Sequence, residues 1–461
     1  MENVVETLKR ELGAEVVLAG ADIPDRNLRD WSGLADSRPL ALVRPRTTAE
    51  VAATLRACHA AGVPVVPQGG LTGLAGGAIA GPGEVALSLE RLTGIEEIDA
   101  ATATMTVRAG TPLEAVQNAA ANAGLFVALD LGARGSCAVG GNVATNAGGN
   151  RVIRYGMTRD MVLGLEVVLP DGTVVTSLNK LIKNNAGYDL KHLFIGSEGT
   201  LGVITRVVLR LHPLPRSIAA AFCGLADYAA VVRLLQAARA GLGATLSAFE
   251  VMWHEFYETM VTRATGVRAP LAGRHRLYVL MEAHGASEAD GERLEEFLGE
   301  MLEAGVLEDA AVAHNTAQVR AFWAIRDAVA EYSTMIGPMT NFDLGLVVDR
   351  MDDYVRACRE RLAVRWPDHF AHFYGHIGDG NIHVNVHVPG AVPQPKAEIE
   401  ALVYGLVREL GGTVSAEHGI GTTKLRWLPY TRTPEELALM AVLKRAIDPK
   451  GILNPGKVLG G

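Results

Sequence analysis

The sequence has 461 residues, with 43 basic and 51 acidic side chains and a net charge of −8. At about 100–200 residues per domain this length makes two to four domains, and a hydrophobic share of 49% with 20% charged residues excludes a disordered chain. The acidic balance excludes a general nucleic-acid or polybasic membrane binder, because no cationic surplus exists to neutralise phosphates.

Residues 1–13 read as a short amphipathic helix rather than an apolar signal segment. No window approaches about 18 uninterrupted apolar residues, so no membrane-spanning helix is expected. Cys58, Cys137, Cys223 and Cys358 stand far apart with no CxxC, which predicts reduced thiols and a cytoplasmic setting.

Leu40–Arg44 reads as a strand, Thr48–Ala61 as a helix with Thr48 as its N-cap, and Val63–Pro67 as a buried strand. Strands follow at Val85–Ser88 and Thr104–Val107. Leu163–Leu169 turns at Asp171-Gly172 into Thr173–Thr176 as a hairpin, and Leu201–Leu211 is a further strand. The prolines in His212-Pro213-Leu214-Pro215 mark a first boundary. Beyond it, Ile218–Phe222, Tyr228–Ala240 and Ser247–Val251 read β-α-β. Leu277–Ala283, Asp290–Ala304 and Ala310–Ala313 repeat that order, which predicts a ferredoxin-like antiparallel α+β sheet. A helix at Ala317–Glu331, a strand–helix pair, a histidine-rich segment at His369–Val388 and a helix at Pro395–Leu410 complete the region.

The 51 glycines crowd into three loops. Pro67-Gln68-Gly69-Gly70-Leu71-Thr72-Gly73-Leu74 follows a buried strand, where glycines let backbone N–H groups converge on an anion. Gly140–Asn150 mixes glycine with Asn and Thr, which suits contacts to a polar heterocycle. Gly196–Gly202 leads into a strand. None is a Rossmann fingerprint or a Walker loop.

PVVPQGGLTGLAGG, GGNVATNAGGN, KNNAGYDLKHLFIGSEGTLGVIT and the closing LNPGKV resemble the FAD-linked oxidase family with the vanillyl-alcohol-oxidase (PCMH-type) fold, in its D-lactate and D-2-hydroxyglutarate dehydrogenase branch. The resemblance covers nearly all of residues 20–461. It implies an α+β chain with a two-subdomain FAD-binding domain (1–213), a ferredoxin-like substrate-binding cap (214–411) and a C-terminal helical segment (412–461) returning to the flavin. It also implies that Pro67, Gln68, Gly69, Gly70, Leu71, Thr72, Gly73 and Leu74 cradle the pyrophosphate. Gly135, Ser136, Gly140, Asn142, Thr145 and Asn146 would lie along the cofactor, with Glu198, Ile204 and Asn454 as further contacts. Some members tether FAD through a histidine in the first loop; residues 68–74 contain none, so noncovalent FAD is expected.

His369–Val388 reads as a hairpin whose turn, Gly378-Asp379-Gly380, supplies positive φ angles. His383, Asn385 and His387 share one strand face. Pairing His376 with His383 would set Tyr374 opposite Asn385 and His372 opposite His387, close enough for two imidazoles to share a cation. Glu417-His418 adds a carboxylate, and two imidazoles with one carboxylate suit a divalent transition metal, Zn²⁺ or Mn²⁺. The resemblance places metal ligation on His376, His383 and Glu417, substrate contact on Asn385, and the catalytic base on His418. His254-Glu255 begins like HExxH but lacks the second histidine and reads as a helix start. The acids at Asp290–Glu296 and Glu398–Glu400 read as solvated faces, and His275, His284 and His314 have no evident partner.

Arg326 matches the family arginine that pairs with a substrate carboxylate; the plain alternative is an ion pair with Asp327 or Glu331. The hydroxyglutarate enzymes resemble this stretch but add a threonine and a lysine where this chain has Ala330 and Asn341, the latter just before the next strand. A second substrate carboxylate would lose its cation there, so D-lactate or a larger neutral homologue is expected over D-2-hydroxyglutarate. The expected activity is an FAD- and metal-dependent dehydrogenation of a D-2-hydroxy acid. Electrons would pass to a separate acceptor: an electron-transfer flavoprotein, a quinone or a cytochrome. Alternatives are a D-2-hydroxyglutarate dehydrogenase, the flavin subunit of a glycolate-oxidising complex, or, less favoured for want of a metal set, a transferase like the alkylglycerone-phosphate synthases. A homodimer is compatible with such a chain, and its partners are small molecules.

Overall fold

The computed structural model describes residues 4–460. Residues 1–3 of the expected N-terminal helix lie outside it; the rest forms the helix Val4–Leu12. The chain divides into two compact units, one of residues 4–148, 156–214 and 417–460, the other of residues 149–155 and 215–416. Among the described residues no helix is long and apolar enough to cross a membrane.

The first unit carries two sheets. In the smaller, Ala41–Val43, Val85–Ser88 and Val65–Gln68 lie parallel, with Val17–Leu18 antiparallel at one edge. The helix Thr48–Ala61 buries Val51, Ala52, Leu55 and Cys58, a helical spacing that makes one apolar face. Its N-cap is Thr47, not Thr48: the Thr47 hydroxyl accepts from the Glu50 N–H at 3.2 Å, and Gly62 at φ 66° ends the helix. The second sheet is antiparallel, with Ile95–Asp99, Thr104–Arg108, Val203–Arg210, Val162–Val168 and Val174–Ser177 side by side. The hairpin expected around Asp171-Gly172 is its last pair.

The second unit is a seven-stranded antiparallel sheet. Asp309–Val312, Ser217–Leu225, Leu277–Gly285 and Leu246–Trp253 lie in the strand order of a ferredoxin-like βαββαβ. Leu246–Trp253 then pairs with Phe370–Gly375, which pairs with Asn381–His387 and, beyond it, Thr340–Gly345. One sheet face is aromatic: Phe222, Tyr278, Leu280, Met252 and Tyr374 pack with Phe256 and Tyr257 and with Val319, Phe322 and Ile325 of the helix Thr316–Asp327. That helix stops at Asp327 and continues as a 3₁₀ turn over Ala328–Glu331.

The histidine hairpin is shifted two residues from the expected register. Tyr374 faces His383, His372 faces Asn385 and Phe370 faces His387. His376 lies outside the strand, in a loop closed by a 3₁₀ turn over Ile377–Asp379. Within the expected turn only Gly380 has positive φ, 92°. The chain breaks from the strand at Gly375, at φ 155°, where a Cβ would stand 2.6 Å from the Asn381 carbonyl oxygen. A two-residue slip keeps every side chain on its face, so the polar side of the hairpin survives.

Candidate active site

In the first unit the glycine loops and the C-terminal LNPG converge. Gly70 lies so close to Ser136 and Cys137 that a Cβ would stand 2.0 Å from the Ser136 carbonyl oxygen. The Glu198 N–H bonds the Ala144 carbonyl at 2.8 Å, tying the third loop to the second. Asn454 donates its amide to the Glu198 carbonyl at 2.7 Å and the Gly77 carbonyl at 3.1 Å. Leu71, Asn146, Glu198 and Asn454 all have positive φ, a conformation costly for non-glycine residues and concentrated at functional sites.

Several expected flavin contacts use their side chains inside the protein. The Gln68 amide is committed to Asn27 and to the Ala78 carbonyl. Asn142 is buried with its amide 3.6 Å from the Cys137 sulfur, the Thr145 hydroxyl bonds the Gly141 carbonyl, and the Asn146 carbonyl oxygen accepts from the Arg159 N–H. The Glu198 carboxylate accepts from the N–H groups of Ile420 and Gly421 at 2.7 and 2.8 Å; burial outweighs these bonds and raises its pKa. Ile204 is buried in the five-stranded sheet. Gly135 and Ser136 are exposed, as are Gly73 and Leu74, while Pro67 and Thr72 are half-buried.

In the second unit Arg326 follows Val319 and Phe322 at helical spacing, so the face that buries the aromatics also buries the guanidinium. Its Nε donates to Glu250 at 3.0 Å, a partner that neither the substrate-carboxylate reading nor the local ion-pair alternative named, and its charge sits 4.9 Å from the Tyr374 ring centroid. His376 Nδ1 is 2.5 Å from the other Glu250 oxygen, and its Nε2 is 3.3 Å from Arg326 Nη2. Burial would raise the Glu250 carboxyl, but His376 and Arg326 outweigh it and hold it below its usual range. The rings of His376 and His383 lie 5.3 Å apart and nearly perpendicular.

Asp343, also buried, stands 4.0 Å from His383 Nδ1 and accepts from Asn381 at 2.9 Å. Its second oxygen accepts from the Ala416 N–H at 3.1 Å and the Ser415 hydroxyl at 3.3 Å. The next residues in the chain are Glu417 and His418. Asn385 donates to Asn341 at 2.6 Å, and its own carbonyl oxygen is buried without a hydrogen-bond partner. Asn341 is exposed and lies within the strand Thr340–Gly345, not before it.

Sequence reasoning missed Glu250, Glu282 and Asp343. Each is the one acid of a largely buried strand, and that is the signal that could have found them, because a buried carboxylate demands partners. Glu282 accepts from Arg151 and Trp323 and lies 2.8 Å from His284 Nε2, so His284 has a partner after all; His275 likewise pairs with Glu308 at 2.7 Å. Glu400 is buried rather than solvated. His254 does begin a helix, His254–Arg263.

Residues 214–458 match the C-terminal domain of FAD-linked oxidases, and residues 39–177 match an FAD-binding domain. The chain belongs to the FAD-linked oxidases. The chain is 41% identical over 459 residues to a mitochondrial D-2-hydroxyglutarate dehydrogenase of Bos taurus, covering 99% of this chain and 84% of the relative. It is 40% identical over 435 residues to a D-2-hydroxyglutarate dehydrogenase of Xanthomonas citri pv. viticola, covering 93% and 91%. Its fold matches substrate-bound p-cresol methylhydroxylase with a TM-score of 0.77 at 18% identity, over 99% of this chain and 96% of that one. The FAD-linked oxidase fold expected from the motifs is thus the one observed. Its cradle fits a flavin: Gly70 leaves room only for backbone, and the Asn454 carbonyl oxygen is buried without a hydrogen-bond partner.

Proposed function

We propose that this FAD-linked oxidase dehydrogenates a D-2-hydroxy acid to the 2-oxo acid and passes the electrons to a separate acceptor. The observation that carries the reading is the buried meeting of one guanidinium with two imidazoles, Arg326 with His376 and His383. A 2-hydroxy carboxylate needs a cation for its carboxylate and a means of acidifying its hydroxyl. Arg326 binds and orients the carboxylate. His376, His383 and Glu417 hold a divalent ion, Zn²⁺ or Mn²⁺, which when bound supplies the Lewis acid that lowers the pKa of the hydroxyl. The donor set fits such an ion: two buried imidazoles, one backed by Glu250, the other near Asp343, which anchors the chain just before Glu417.

His418 takes the hydroxyl proton on its imidazole. Asn385, with its unpaired carbonyl oxygen, contacts the substrate, and Asn341 buttresses it. Noncovalent FAD, cradled by residues 67–74, Gly135, Ser136, Gly140, Asn142, Thr145, Asn146, Glu198, Ile204 and Asn454, supplies when bound the two-electron acceptor for the Cα hydride.

A neutral substrate side chain, as in D-lactate, is the first reading, because Asn341 and Asn385 offer amides and no cation. D-2-hydroxyglutarate is the second, favoured by the names of the relatives. Anaerobic bleaching of the flavin by a panel of D-2-hydroxy acids tests the activity. No bleaching by any of them overturns it. Metal analysis of wild type and His383→Ala tests the ion: about one divalent ion per wild-type chain and its loss in the variant are expected, and full retention refutes the ligand set.

A further inference from the structure

Glu250 sits mid-strand, 1% exposed, with each oxygen given to a different partner. One accepts from His376 Nδ1 at 2.5 Å, the other from Arg326 Nε at 3.0 Å. Donor and acceptor accounting of these two contacts favours one tautomer of the imidazole. Arginine carries only donors, so His376 Nε2, 3.3 Å from Arg326 Nη2, presents its lone pair. A ring proton on Nδ1, pointed at Glu250, satisfies both contacts. Tyr374 covers the guanidinium, 4.9 Å from its ring centroid, so the arginine is fixed by a carboxylate at Nε and a ring against its plane.

We propose that Glu250 is a positioning residue that sets the two ligand-binding groups at once. One oxygen fixes His376 in the Nδ1–H tautomer, with Nε2 left for a metal, and the other sets the guanidinium of Arg326. The inference rests on the metal and carboxylate roles given above. A carboxylate behind a ligating histidine orients the ring and raises its basicity. When Nε2 takes a metal, Nη2 gives up its hydrogen bond to that nitrogen, and its N–H becomes free for a substrate carboxylate. Metal affinity and carboxylate affinity therefore share one residue, which touches neither.

The test uses flavin-loaded protein without substrate. Zn²⁺ affinity is measured by competition with a chromophoric chelator, and the tautomer of His376 by long-range ¹H–¹⁵N spectra of the metal-free, histidine-labelled protein. Glu250→Gln is expected to weaken Zn²⁺ roughly 10–100-fold, the usual cost of losing such a backing group. It should also replace the single Nδ1–H signature with a mixture, because a glutamine amide can donate to Nδ1 as well as accept. Glu282→Gln removes an equally buried carboxylate from the neighbouring strand and should leave both readouts unchanged. If Glu250→Gln does not fold, Glu250→Asp keeps the charge one methylene short of both partners, and the same weakening is expected. Unchanged Zn²⁺ affinity in whichever variant folds overturns the proposal, as does a wild-type His376 protonated on Nε2. A wild type that binds no Zn²⁺ sinks the metal reading instead, and the tautomer spectrum still judges Glu250 by itself.

Discussion

Replacing Gly70 by alanine should separate the flavin loop from its neighbour, while the same change at Gly69 should not. Neither residue has a left-handed φ, so the contrast is purely steric. At Gly70 the added Cβ would stand 2.0 Å from the Ser136 carbonyl oxygen and 2.7 Å from the Cys137 Cα. Both are backbone atoms that no rotamer change can move, and the closer is about 1 Å inside the nearest approach real Cβ atoms make. At Gly69 the nearest atom is the Ala138 Cβ at 3.5 Å, an ordinary contact. Forcing an extra carbon into packed surroundings costs about 1–3 kcal/mol. If the loop relieves the clash by moving away from Ser136–Cys137, that cost falls on the flavin-bound form, and about 1.4 kcal/mol is tenfold in affinity. Gly70→Ala is therefore expected to weaken FAD roughly 10–100-fold, read by fluorescence titration of the apoprotein, with Gly69→Ala near wild type. Wild-type FAD affinity and melting temperature in Gly70→Ala would refute the assignment of this loop to the flavin.

His418→Ala should lose roughly 10²–10⁴ in the rate of anaerobic flavin reduction, and an unchanged rate places the base elsewhere. Glu282 predicts a pH effect on stability. Burial pushes its carboxyl up, but His284, Arg151 and Trp323 outweigh it and bring it down to about 2. A depressed carboxyl stabilises the fold above its unfolded pKa and loses that contribution as pH falls, here a contribution of about 3 kcal/mol fading from roughly pH 4.5 towards 2. The difference in urea stability between wild type and Glu282→Gln should therefore shrink on acidification, and a pH-independent gap would refute the coupling. Asn341→Lys should raise kcat/KM for D-2-hydroxyglutarate relative to D-lactate; no change in that ratio removes position 341 from substrate choice.

Much of this architecture is written locally. Strand alternation and helix spacing place most elements within a few residues of where they lie, the glycine clusters mark the loops proposed to hold the flavin, and the parity of His383, Asn385 and His387 puts them on one face whatever the register. Even the burial of Arg326 is legible, since it continues the Val319–Phe322 face of its helix. Partners are another matter. His376 and Glu250 are 126 residues apart, and they meet because Leu246–Trp253 is the strand beside Phe370–Gly375. Nothing near Arg326 in the chain marks Glu250 over Asp327 or Glu331, and nothing in the hairpin tells that the chain leaves its strand at Gly375, which moves the register by two. Local chemistry decides what each segment can be, because propensity and periodicity act over a few residues. Which buried charge answers which depends on the lateral order of strands, and that order is set by the packing of the whole sheet.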